Sequence, residues 1–214
     1  MSENTFRFYT RLNQIRLLDN KAKNIVELLE NIKIVGGSSI YYHTHRFLVK
    51  HHFLKTGPVN DFAYWVEEFL GENVLAEKLA SIYITDYSSI ADLRYALISK
   101  IAQYLSTKPR IVSVSPEKEF RFMSCRTFIL PTSYIAKNLP EFIEKIKHVS
   151  IHSIYFHLFE ARLRLAKPDN DFSIWLRDAG FKKAAQEISK LDPYTDTLYG
   201  IREKIVRVLE ENGH

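Results

Sequence analysis

The sequence predicts a mainly α-helical protein with a minimal sheet (α+β), built as a tandem duplication of a unit of one strand and about five helices. Three observations carry this prediction. Residues 6–43 align with 120–157 at a constant offset of 114 without a gap, and 16 of the 38 positions are identical, where average residue usage gives roughly 2 by chance. Apolar residues recur at helical spacing through most of each copy. Only one stretch of strand character opens each copy, so the two copies are expected to share whatever sheet exists.

The opening segments are Phe6-Arg7-Phe8-Tyr9-Thr10 and Phe120-Arg121-Phe122-Met123-Ser124. Aromatic residues alternating with polar ones read as strands. They are expected to pair with each other or with the short run 110–114. The first helix of each copy is expected over 22–33 and 136–147, from Ile25, Leu28, Leu29 and Ile32 and from Leu139, Phe142, Ile143 and Ile146. Pro140 stands in the first turn, where its missing N–H costs nothing. The second helix, at about 37–53 and 151–166, has a repeated start signal. Val35 and Val149 precede candidate caps Gly36 and Ser150, and Ile40 and Ile154 follow at the fourth helical position, the pattern of a hydrophobic staple. Loops 55–59 and 167–169 then lead to a third helix capped by Asn60 or Asp61 and by Asn170 or Asp171. Gly71 and Gly180 interrupt it. A fourth helix follows at 73–81 and 181–190, and a last one at 88–105 and 197–211. The organisation predicted is a first unit over 1–106, a linker over 107–118 and a second unit over 119–214, docked around a pseudo-twofold axis as in an isologous dimer.

Composition narrows the function. The 214 residues carry a formal charge of +5, with charges of both signs interspersed. That describes an ordinary solvated surface, and a nucleic-acid partner would need the excess gathered on one face. A single cysteine, Cys125, permits no internal disulfide and fits a reducing, cytoplasmic setting. Neither a secretory leader nor an apolar run of about 18 residues is visible. Abundant Ile, Lys, Glu and Tyr beside three Gln give a thermophile-like composition.

Several large enzyme classes lack their signatures here: there is no Gly-rich phosphate loop, G-x-S-x-G, H-E-x-x-H or C-x-x-C. The sharpest feature is the repeated Ser-Ile-Tyr-x-His, residues 39–43 and 153–157. Ser39 and His43, like Ser153 and His157, are four apart on a helix and are placed to hydrogen-bond to each other. One reading makes each histidine a core residue. The other brings both to the pseudo-twofold axis as ligand donors or proton carriers near neutrality. The scattered His148, His152, His45, His51 and His52 keep no matched ligand spacing, so neither a metal nor a cofactor is expected. Repeated Ala-Lys-Asn, with Lys23 and Lys137 at a helix start, is a candidate anion site or a simple cap. Asn-Asp-Phe-x-x-Trp is a cap with core aromatics, or an aromatic platform for a sugar.

Lys-Ala-Lys-Asn (21–24), Ser-Ile-Tyr-Tyr-His-Thr-His (39–45), Asn-Asp-Phe-Ala-Tyr-Trp (60–65) and Ile-Ala-Asp-Leu-Arg (90–94) resemble an uncharacterised prokaryotic family catalogued as a domain of unknown function. The resemblance covers nearly the whole chain, twice, and implies no activity. It implies relatives that occur beside sugar-transferring enzymes, which bears on the ligands to test. The reading is therefore a soluble binding or regulatory protein for a small anionic or sugar-like ligand or a protein partner. Its candidate ligand-binding residues are Ser39, Tyr41, His43, Ser153, Tyr155, His157, Lys23 and Lys137. The competing readings are a small enzyme using His43 or His157 as acid and base, and a nucleic-acid binder.

Overall fold

The computed structural model describes residues 5–50, 59–107 and 110–212. Helix accounts for 60% of the described residues, which hold one small antiparallel sheet of two strands, so the protein is mainly α. The elements in order are β1 (Phe6–Ala22), α1 (Ile25–Ile34), α2 (Gly37–Tyr41), α3 (Phe47–Lys50), α4 (Asp61–Glu68), α5 (Asn73–Ala80) and α6 (Ile90–Leu105). There follow β2 (Phe120–Ala136), α7 (Leu139–His148), α8 (Ile151–Tyr155), α9 (Ala161–Leu165), α10 (Asp171–Asp178), α11 (Lys182–Ser189) and α12 (Leu198–Asn212). A π turn at Tyr42–Arg46 joins α2 to α3 without a break, and another at Phe156–Glu160 joins α8 to α9. Two short 3-10 turns, Ile84–Asp86 and Pro116–Lys118, complete the order.

The expected caps hold locally. Asn24 and Asn138 accept from the N–H of Glu27 and Glu141, and Asn60 and Asn170 from Ala63 and Ser173. Each cap satisfies a donor that a helix start leaves orphaned. Gly71 and Gly180 take left-handed φ of 66° and 96° just past α4 and α10, the conformation that ends a helix most cheaply when no Cβ is present. The guanidinium of Arg94 donates to the carbonyls of Ile32 and Lys33, and that of Arg202 to Lys147 and Val149. These repeated arginines thus close the C-terminal ends of α1 and α7.

The strands differ from expectation in length. Each runs 17 residues, well past the aromatic opening, and β1 pairs with β2. Antiparallel pairing sets the start of each strand beside the end of the other, so the compact units are not the two sequence halves. Unit 1 gathers the described residues up to Leu12 and those from Thr127 onward; unit 2 gathers the described residues between Asn13 and Arg126. Each repeat therefore gives the opening of its strand to the helices of the other repeat. In unit 1, Phe6 and Phe8 pack on Phe142, Phe172 and His157, and Phe6 also meets Trp175. In unit 2, Phe120 and Phe122 pack on Phe62 and His43, and Phe120 on Trp65. Phe8, Phe122, Phe62 and Phe172 are fully buried. The edge-to-face pairs among them, such as Phe6–Phe142 and Trp65–Phe120, add about 0.5–1.5 kcal/mol each beyond their buried area.

Among the described residues no helix is long and apolar enough to cross a membrane. The proposed end of the second helix at His51 and His52, and most of the loop 55–59, lie outside the described residues.

Candidate functional site

The Ser-Ile-Tyr-x-His segments lie where α2 and α8 pass into their π turns. A π turn carries one more residue than an α turn and marks functional positions in many proteins. His43 and His157 are almost fully buried, and so are Ser39 and Ser153. The expected Ser–His hydrogen bond is not what holds them. Ser153 Oγ donates to the carbonyl of Tyr9 at 2.7 Å, and the N–H of Tyr9 donates to His157 Nε2 at 2.8 Å. Two residues four apart on one helix face thus grip both backbone groups of a single strand residue. His157 Nδ1 donates to Asp171 Oδ2 at 2.7 Å, and the Asp171 carboxylate also receives Arg164 Nη2 at 2.5 Å. In unit 2 the N–H of Met123 donates to His43 Nε2 at 2.9 Å, and His43 Nδ1 donates to Asp61 Oδ2 at 2.7 Å.

This arrangement sets the tautomer. A nitrogen that accepts a backbone N–H carries a lone pair, so the proton sits on Nδ1 and the ring is neutral. Burial holds His157 below its ordinary range, with the Asp171 carboxylate pulling the other way. Tyr41 stacks on His45 at 5.2 Å. Tyr155 is fully buried with the Arg11 guanidinium 5.1 Å from its ring centre, and burial pushes its phenol up. Arg11 also pairs with the buried Glu160, whose carboxyl burial pushes up.

Lys23 and Lys137 stand apart from these clusters. The backbone N–H of each donates to the carboxylate of Glu27 or Glu141, and Lys23 Nζ lies 3.4 Å from Glu27. The glutamate occupies the place that an external anion would take at these helix starts.

The concavity beside His157 was not foreseen. A cavity of about 560 Å³ in unit 1 is lined by Arg7, Tyr9, Arg164, Asp171, Trp175 and Asp178, with His157 in its wall. Arg164 lies over the Phe156 ring at 4.4 Å. A cavity of that size falls in the range of small-molecule sites. The signal available in sequence was the repeated Asp in Asn-Asp-Phe-x-x-Trp, which pairs with the repeated His; Arg164 carried none, since its counterpart is Lys50. In unit 2, Lys50, Asp61, Tyr42, Phe47 and Arg46 line a cavity of only about 20 Å³. Among the described residues no group of three or more His, Cys, Asp or Glu is placed to hold a metal ion.

The chain belongs to the family of unknown function DUF5752, which matches residues 3–210. Among solved structures it is similar to OrfY from Thermoproteus tenax, with 27% identity and a TM-score of 0.81, over 97% of this chain and 95% of that one. No curated protein matches it.

Proposed function

We propose that this DUF5752 chain is a soluble, cytoplasmic binding protein whose unit 1 cavity takes a small sugar-like ligand. One observation carries the reading. Two guanidiniums, Arg7 and Arg164, and two carboxylates, Asp171 and Asp178, border one cavity with the rings of Tyr9, Phe156 and Trp175. Hydroxyl groups both donate and accept, so a polyol is matched by a wall offering fixed donors and fixed acceptors. Its apolar ring faces are matched by aromatic side chains. The single cysteine supports the reducing compartment.

An enzymatic use of His43 or His157 as acid and base needs a ring nitrogen able to exchange a proton with substrate. Both nitrogens of each ring are engaged, one by the strand backbone and one by Asp61 or Asp171. His157 serves the binding reading by holding the strand that carries Arg7 and Tyr9 beside the cavity.

Thermal shift tests this directly, because any ligand that binds the folded state raises its melting temperature. Glucose and maltose are the probes. A saturable rise with one of them, lost in Arg164→Gln and in Asp178→Asn, is expected. Both side chains reach the surface, so these variants keep the core intact. No rise with any probe, or a rise unchanged in both variants, sinks the proposal.

A further inference from the structure

Unit 2 holds a second cavity of different chemistry. It has a volume of about 420 Å³ and is lined by Gln14, Arg16, Ser38, Ser124, Cys125 and Arg126, with Ile15. Arg16 comes from β1 and Arg126 from β2, and Ser38 from the first turn of α2. Cys125 Sγ faces the Ser38 carbonyl at 4.0 Å, which sets the thiol in the cavity wall. No carboxylate among the described residues lines it. The unit 1 cavity, by contrast, is lined by Asp171 and Asp178, and Asp171 pairs with Arg164.

The repeat makes this cavity specific to unit 2. At the offset of 114, Arg16 corresponds to Leu130, Arg126 to Leu12 and Gln14 to Phe128. In unit 1 these three are apolar and solvent-exposed, at 44%, 61% and 39%. Cys125 corresponds to Arg11, whose side chain is instead buried against Glu160. One copy thus carries two arginines beside a hollow where the other carries two leucines.

We propose that this cavity binds a phosphate-bearing small molecule, with Arg16 and Arg126 forking onto the phosphate oxygens and Ser38 and Ser124 donating from the sides. A guanidinium presents paired N–H groups in a plane that matches two phosphate oxygens, and hydroxyls supply further donors at little cost. This site does not depend on the sugar reading of unit 1.

Calorimetric titration of the full chain with inorganic pyrophosphate and with glucose 6-phosphate tests the assignment. Saturable binding of at least one probe is expected. The double variant Arg16→Gln/Arg126→Gln should weaken it tenfold or more while its melting temperature stays that of the wild type, since both side chains are exposed. The only cysteine gives a second readout: pyrophosphate should slow alkylation of Cys125 by iodoacetamide several-fold in the wild type and not in the double variant. The assignment is overturned if the wild type binds neither probe, or if the double variant titrates as the wild type does. The thermal shift with neutral sugars reads the unit 1 cavity on its own, so failure of either site leaves the other to stand or fall by its own measurement.

Discussion

The same five-residue segment grips a strand in both units, but only unit 1 completes the grip. There Ser153 and His157 hold the carbonyl and the N–H of Tyr9. In unit 2 His43 holds the N–H of Met123, while Ser39 Oγ is buried with no hydrogen-bond partner among the described residues. Around this shared device the two units diverge. Arg164 borders a ligand-sized cavity where Lys50 borders almost none, and Arg16 and Arg126 stand where unit 1 has leucines. The unit 1 cavity combines residues kept in both copies, such as Arg7, Asp171 and Trp175, with Arg164, which differs, whereas the arginines of the unit 2 cavity have no basic counterparts.

The largest effect expected from breaking this comparison is on stability. His157→Ala strands the Tyr9 N–H and one side of Asp171 in a buried place and leaves a cavity. We expect a loss of about 3–4 kcal/mol in urea unfolding, and about 2–3 kcal/mol for His43→Ala. A loss under about 1 kcal/mol for either would mean that the ring does not hold its strand. The serines sharpen the contrast. Ser153→Ala leaves a buried carbonyl without its donor and should cost about 1–2 kcal/mol. Ser39→Ala removes a hydroxyl that gains nothing from burial and should be neutral or slightly stabilising. Equal losses at the two serines would erase the difference between the units.

The pH dependence is smaller and has a definite sign. His157 is held below its ordinary value of 6.5 by burial, so below that pH the unfolded chain binds the extra proton first. Its contribution is complete above about pH 6.5 and is lost as the pH falls through the folded value. The urea midpoint should therefore drop on acidification from pH 6.5, and His157→Gln should flatten that limb. The smallest expected change is Arg164→Lys, which places in unit 1 the residue that unit 2 has. An exposed ion pair contributes about 0–1 kcal/mol, so unfolding should barely move, whereas any sugar-induced thermal shift should fall.

Helix positions were legible because they rest on local patterns: Asn60 and Asn170 cap from one of the two positions that sequence offered for each, while the first helices start at Ile25 and Leu139, after caps Asn24 and Asn138, and not at 22 and 136, which end the strands. The inward face of His43 was also legible, since Ile40 and Phe47 share its side of the helix. Its partners were not. Asp61 lies 18 residues away and Met123 lies 80 away, and hydrogen-bond partners at such separations leave no periodicity to read. Likewise, neither arginine-lined cavity was visible from residues that belong to different elements.

The sequence by itself determined the repeated order of one strand and several helices, the apolar face of each helix and the burial of the aromatic residues, because those follow from neighbours within a few positions. Only the tertiary structure decided that each strand opening joins the helices of the other copy. Backbone groups of an isolated strand find partners only by pairing, and two long antiparallel strands necessarily carry each beginning to the other's end. That exchange makes the histidine of each Ser-Ile-Tyr-x-His a fastening for a strand borrowed from the other copy.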